Sequence, residues 1–196
     1  QPGEARERLQ LPVRAKVLVT IGRLVEQKGH TILLQALQQL RQQGGEEPYA
    51  VLVGDGPWRQ RLHGQAQALG LEQNIRFLGT RTDIGDILRA ADLYVMPSLW
   101  EGLGLALLEG MAAGLPVLAS RVGGMVEVLG EGQYGYLVPA NDVNALAGQL
   151  AELLAPGVDL GPMASAAQRR VADFSASKMV TAIGNVYAAT FASRSR

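Results

Sequence analysis

Short apolar runs alternate with amphipathic segments along most of the chain. Residues 16–21 (KVLVTI) read as a buried strand, and residues 30–43 set Ile32, Leu33, Ala36, Leu37 and Leu40 on one helical face. The same pattern continues with strands at 50–53, 75–78, 93–96, 116–119 and 136–138. Between them lie helical patterns at 58–69, 84–90 and 105–113, with closing helices over 143–154, about 161–173 and 177–191. Apolar strands separated by helices predict an α/β fold, a Rossmann-like, doubly wound, mostly parallel six-stranded sheet with helices on both faces. Ligands of such sheets bind at the carboxyl ends of the strands, so the loops that leave each strand carry the candidate chemistry. Residues 1–14 read as a polar lead-in or linker and residues 194–196 as a frayed end.

Composition narrows the class. The 196 residues, 47% hydrophobic and 18% charged, suit one domain with a sizeable core. Eighteen basic residues balance eighteen acidic ones, which argues against a nucleic-acid binder. The absence of cysteine excludes disulfides, thiolate zinc sites and cysteine nucleophiles, and the two histidines, His30 and His63, stand on separate segments. No apolar run approaches ~20 residues and the opening QPGEARERLQ is polar, so neither a spanning helix nor a signal peptide is expected, and a cytoplasmic location is. Glycine is the anomaly: 24 in the chain, nine of them between residues 102 and 135. Backbone that approaches a ligand or turns left-handed uses glycine.

The loop after the first strand runs Gly22, Arg23, Leu24, Val25, Glu26, Gln27, Lys28, Gly29. Arg23 and Lys28 offer a forked donor and a point charge that together can grip a phosphate; a solvated turn and helix start is the plainer alternative. The spacing is not that of a P-loop. After the second strand, Gly54-Asp55-Gly56-Pro57 is a tight turn with proline opening a helix, and Arg59 stands where a dinucleotide fingerprint needs its third glycine. After the fourth strand comes the most informative stretch, residues 97–110 (PSLWEGLGLALLEG). Gly102 and Gly104 let the chain turn into a helix whose first amides and positive dipole end face the crevice and suit an anion. Glu109 sits in an otherwise apolar helix, where a buried carboxylate needs hydroxyl donors or a cation such as Arg121. Eight residues of helix would set Glu101 and Glu109 about 12 Å apart, too far for a glycosidase pair and suited to two ends of a long ligand. Residues 120–127 form another glycine turn into a helix, with Glu127 near its amino end as an ordinary dipole partner or a weak addition to the site.

Taken in order, Gly22-Arg23-Leu24 with Lys28-Gly29, Gly54-Asp55-Gly56-Pro57, Phe77-Leu78-Gly79, Pro97-Ser98, EGLGLALLE at 101–109 and Gly123-Gly124 with Glu127 resemble the donor half of retaining glycosyltransferases of the GT-B fold with the E-x7-E motif. The resemblance, which runs from about residue 9 to residue 191, implies that Arg23 and Lys28 neutralise the donor diphosphate and that Glu109 holds the ribose. It implies that Glu101 and the amides of Gly102, Leu103 and Gly104 hold the transferred sugar and phosphate, with the base near Leu78; Gly22 and Leu105 count among the binding positions. Glu101, Arg23 and Lys28 would carry the catalysis. The donor is then a nucleoside-diphosphate sugar, with no cofactor and no metal: no Asp-x-Asp triplet occurs, Asp83 and Asp86 being three apart.

Members of that family carry an acceptor-binding domain before this one. The expected organisation is a linker at 1–14, a donor-binding domain at 15–175 and a C-terminal helix at 176–196 that packs on the missing N-terminal domain through Val180, Ile183 and Tyr187. Alone, such a half would bind nucleotide without turnover, and the acceptor glycan, lipid or small molecule, like any membrane association, would be met by the missing half. A sugar-nucleotide epimerase of the same fold and a non-catalytic nucleotide-binding module are the alternatives.

Overall fold

The computed structural model describes residues 2–44 and 47–194; residues 195 and 196 of the expected frayed end lie outside them. Six strands form one sheet: β1 (Val17–Ile21), β2 (Tyr49–Val53), β3 (Ile75–Gly79), β4 (Leu93–Met96), β5 (Val117–Ser120) and β6 (Tyr136–Val138). Their order is β3-β2-β1-β4-β5-β6 and every pairing is parallel, with Val17 opposite Tyr49, Leu18 opposite Leu93, and Tyr94 opposite Val117. This is the doubly wound arrangement that the alternating pattern predicts.

Alternation along each strand builds the core in two layers. Val17, Val19, Val51, Tyr94, Met96 and Val117 face one side. They meet α1 (Pro2–Arg8), α4 (Ile84–Ala90), α5 (Leu105–Ala112), α6 (Gly123–Val128) and α8 (Gly161–Arg170). Leu18, Ala50, Leu52, Leu93, Val95 and Leu118 face the other side, under α2 (His30–Gln42), α3 (Arg59–Ala68) and α7 (Val143–Leu154). The last element is α9 (Ala176–Arg194). Among the described residues, no helix is long and apolar enough to cross a membrane.

Two boundaries shift for identifiable reasons. β5 starts at Val117 because Pro116 has no N–H for the ladder, although its carbonyl still accepts from Tyr94 N at 3.0 Å. The closing helix expected to 173 stops at Arg170 and tightens into a 3-10 turn, Val171–Phe174.

The linker expected over residues 1–14 is a correction. α1 packs on α4, with Ala5, Leu9 and Leu11 buried. The Arg6 guanidinium, itself buried, donates to the carbonyls of Ala90 at 2.9 Å, Val13 at 2.9 Å and Ala15 at 3.1 Å. It also pairs with Asp92 at 2.6 Å, whose carboxylate accepts from Val17 N at 2.7 Å. Three spaced apolar residues among charges leave no periodic signal, and the arginine's role depends on distant carbonyls.

Candidate functional site

The strand order fixes the location. The chain lays β2 and β3 on one side of β1, then crosses back and lays β4 on the other, so the connections leaving β1 and β4 diverge and open a crevice at their carboxyl ends. From β1 comes the 22–29 connection, which passes through a short 3-10 turn, Glu26–Lys28. From β4 comes the 97–104 connection, which enters α5. Backbone ties hold the two together: Leu99 N donates to the Gln27 carbonyl at 2.7 Å, and Gln27 Nε2 donates to the Trp100 carbonyl at 3.0 Å.

Lys28 and Glu101 meet across this crevice, Nζ to Oε2 at 2.5 Å, with their side chains only 18% and 12% exposed. Ser98, fully buried, brings its Oγ within 3.4 Å of the same carboxylate oxygen. The stem of Lys28 lies over Gly22, where a Cβ would stand 3.2 Å from the lysine Cε. Arg23 is exposed and takes part in no ion pair among the described residues. Gln27 and Ser98 went unsuspected in the sequence as site residues; Ser98 directly follows a Pro at a strand end, while Gln27 carries no signal at all.

The α5 terminus is open. Gly104 caps it in the left-handed region, φ 69°, where a side chain would be strained, and no side chain caps the first turn. Gly102, Leu103 and Leu105 are exposed beside it. Gly124, at the start of α6, supports this loop from behind: a Cβ there would fall 2.0 Å from the Gly102 carbonyl oxygen, so only bare backbone can approach so closely.

Glu109, expected to be buried, lies on the exposed side of α5, while Leu107, Leu108 and Met111 take the core. Arg121, its alternative partner, pairs instead with Glu131 at 2.9 Å. The charge of Glu109 still reaches the site. Burial pushes the Tyr94 hydroxyl well above the usual tyrosine range, and Glu109 and then Glu101 push it in the same direction. That hydroxyl donates to the Ile21 carbonyl at 3.4 Å, at the carboxyl end of β1. The separation of Glu101 and Glu109 is not set by eight residues of helical rise, since α5 begins only at Leu105. Leu78 stands apart, half-buried in β3 with β2 between it and β1.

The Gly54–Pro57 turn is structural, as its pattern suggests. Asp55 accepts from Gly56 N at 2.7 Å and from Arg59 Nη1 at 2.8 Å, which together hold its carboxyl below the usual carboxylate range. Cavity size does not mark the site: a 320 Å³ cavity lined by Lys16, Asp92, Leu115 and Leu153 lies at the opposite, amino ends of β1, β4 and β5. A smaller one of 150 Å³, lined by Glu26, Thr31, Trp58, Leu99 and Asn141, adjoins the crevice. What marks the site is an ion pair beside an uncapped helix terminus at the switch in strand order, with the exposed Arg23 on the same connection as Lys28.

Known proteins share this fold. The family model described as glycosyl transferases group 1 matches residues 3–170. A D-inositol 3-phosphate glycosyltransferase of Corynebacterium urealyticum is 37% identical over 179 residues, 87% of this chain and 42% of that protein. The crystal structure of Anabaena HepE in complex with UDP and glucose superposes with a TM-score of 0.82 at 30% identity, over 98% of this chain and 52% of HepE. Sucrose-phosphate synthase from Thermosynechococcus elongatus gives 0.83 at 30% identity, over 97% of this chain and 49% of that one. The chain thus spans about half the length of the relatives it matches. A family match that runs from α1 to the end of α8, on the fold and crevice described above, makes the chain a member of the glycosyl transferases group 1 family.

Proposed function

We propose that this chain is the donor-binding half of a retaining, metal-independent glycosyltransferase that takes a sugar from a nucleoside diphosphate. The observation that carries the reading is the meeting of Lys28 and Glu101 at the switch between β1 and β4, beside the open amino end of α5. A diphosphate placed there is met by Arg23, Lys28 and the first amides of α5, and the sugar by Glu101 and the 102–105 backbone. Glu109, exposed on α5, accepts hydroxyl hydrogens from the ribose, while the base reaches toward Leu78. The binding of UDP and glucose by Anabaena HepE supports this choice of ligand.

The chemistry follows from the leaving group. When the bond between the anomeric carbon and the diphosphate oxygen breaks, its electron pair leaves with the nucleoside diphosphate, and fixed positive groups stabilise that growing charge most. Arg23 and Lys28 supply the positive charge that a divalent ion supplies in other enzymes. The acceptor, a glycan, lipid or small molecule, is met by an N-terminal domain on which α9 packs, so this half binds donor without turnover. Whether the complete protein works in the cytoplasm or at a membrane surface is decided by that other half.

Isothermal titration calorimetry with UDP, GDP and ADP tests the reading. One of them binds, chelation with EDTA leaves its affinity unchanged, and Lys28→Ala weakens it roughly tenfold to a hundredfold through the lost charge-assisted bond. Glu109→Ala weakens it too, through the lost bonds from the ribose hydroxyls to the carboxylate. Absence of binding by all three at millimolar concentration, or an affinity indifferent to both substitutions, sinks it.

A further inference from the structure

We propose that Glu101 makes the site prefer a nucleotide sugar to the bare nucleoside diphosphate, by holding Lys28 whenever no sugar is present; this rests on the reading of Lys28 as a diphosphate ligand. Lys28 Nζ stands on Glu101 Oε2 at 2.5 Å, in a pair whose members are 18% and 12% exposed. The geometry is built in from several sides. Gly22 makes a bed for the lysine stem, Ser98 Oγ adjoins the carboxylate at 3.4 Å, and the Gln27 bonds to Leu99 and Trp100 clamp the two connections independently of the pair. Arg23 lies on the same connection, exposed and outside any ion pair among the described residues, so it stays available to phosphate whether or not the pair is closed.

A diphosphate that takes Lys28 must draw it from Glu101. The carboxylate is then left with little water, without its cation, and facing an incoming polyanion, which costs both desolvation and like-charge repulsion. A ligand with only a diphosphate cannot repair that loss. A ligand that also carries a sugar can, because its hydroxyls donate to the vacated carboxylate while its phosphates take the ammonium. The two halves of a nucleotide sugar therefore satisfy the two halves of the ion pair, and the bare nucleotide satisfies one. After transfer the sugar leaves Glu101, the pair closes again, and the product nucleotide loses its point-charge contact. Glu101 thus weakens product binding in the same position where it holds the donor sugar.

Calorimetry with the 196-residue chain tests this, using UDP with UDP-glucose and GDP with GDP-mannose as probes. Wild type binds the sugar nucleotide more tightly than its diphosphate. Glu101→Gln, isosteric and uncharged, tightens the bare diphosphate about tenfold, the usual coupling for charges in direct contact, and erases the advantage of the sugar nucleotide. Glu101→Ala gives the same sign, and matching circular dichroism melts exclude misfolding as its cause. In a Lys28→Met background, Glu101→Gln tightens the diphosphate clearly less than in wild type, because only the like-charge repulsion remains. Three results overturn the proposal: Glu101→Gln leaves the bare diphosphate unchanged or weaker; the tightening is undiminished without Lys28, which would make it plain repulsion; or wild type shows no preference for the sugar nucleotide. Loss of binding on Lys28→Ala together with a neutral Glu101→Gln removes this inference and leaves the donor-site reading intact, whereas failure of every nucleotide to bind removes both.

Discussion

His30, the first residue of α2, is 1% exposed, and neither ring nitrogen has a hydrogen-bond partner among the described residues. Burial first, and the neighbouring Lys28 charge second, lower its pKa from 6.5 to about 4. Between those values the unfolded chain binds a proton at this ring and the folded chain does not, so stability falls as pH drops from 6.5 and levels off below about 4. At ~1.4 kcal/mol per unit the full loss is about 3 kcal/mol. Urea unfolding from pH 7 to pH 4 should show His30→Leu losing less stability than wild type over that window; parallel curves would refute the assignment. Gly110 makes a different residue-scale point. A Cβ there would stand 2.7 Å from the Tyr94 ring, so Gly110→Ala overpacks the contact between α5 and β4. The gain in helix propensity, ~1 kcal/mol, offsets part of an overpacking cost of about 1–3 kcal/mol, and denaturant titration should find the variant less stable. Here the sequence was partly legible. The glycine excess draws attention to residues 102–135 and suggests backbone approaching a ligand, whereas Gly110 and Gly124 serve contacts with other parts of the protein itself. The approach of Gly124 to the Gly102 carbonyl cannot be read from spacing, because nothing local requires it.

At the scale of elements, the strands and the helices between them followed from period and length, because each buries a continuous apolar stripe that its own residues display. α1 did not. It is held less by apolar area than by one arginine: Arg6 satisfies three carbonyls and the Asp92 carboxylate, joining α1 to the end of α4 and the start of β1. Its side chain is 10% exposed, so its removal leaves buried acceptors and a carboxylate without their donor. Arg6→Ala should destabilise the domain by about 2–4 kcal/mol in urea unfolding, far more than an exposed ion pair of the Arg59–Asp55 kind, worth under ~1 kcal/mol. Arg6→Lys should recover only part of the loss, because an ammonium cannot span the same four acceptors in one plane. An equal, small effect for Arg6→Ala and Arg59→Ala would show α1 to be a mere appendage. The candidate site divides along the same line. Lys28, Glu101 and Glu109 could be found because charges stand out in glycine-rich or apolar surroundings, while Ser98 and Gln27 act through bonds that exist only after β1 and β4 are neighbours.

For the whole molecule, the strand order brings the site to one rim of the sheet, and the described core ends at Ala167, before α9 begins. Met179, Val180, Ile183, Val186 and Tyr187 are 49–67% exposed along that helix, an apolar surface larger than scattered surface residues explain. None of the described side chains of α9 is buried, so the domain owes little of its stability to them. A chain ended after Phe174 should melt within about 2–3 °C of the full chain, since it loses well under 1 kcal/mol of buried contact, and should bind UDP with the same affinity. A large drop in melting temperature would mean that α9 stabilises the fold through contacts the exposed stripe does not reveal. The complementary measurement concerns the acceptor half proposed above. With that half present, amide exchange in α9 should slow by orders of magnitude while exchange in β1 and β4 stays unchanged, because a helix protected only by local structure gains protection when its apolar side is covered. Unaltered exchange in α9 would instead assign the stripe to another partner.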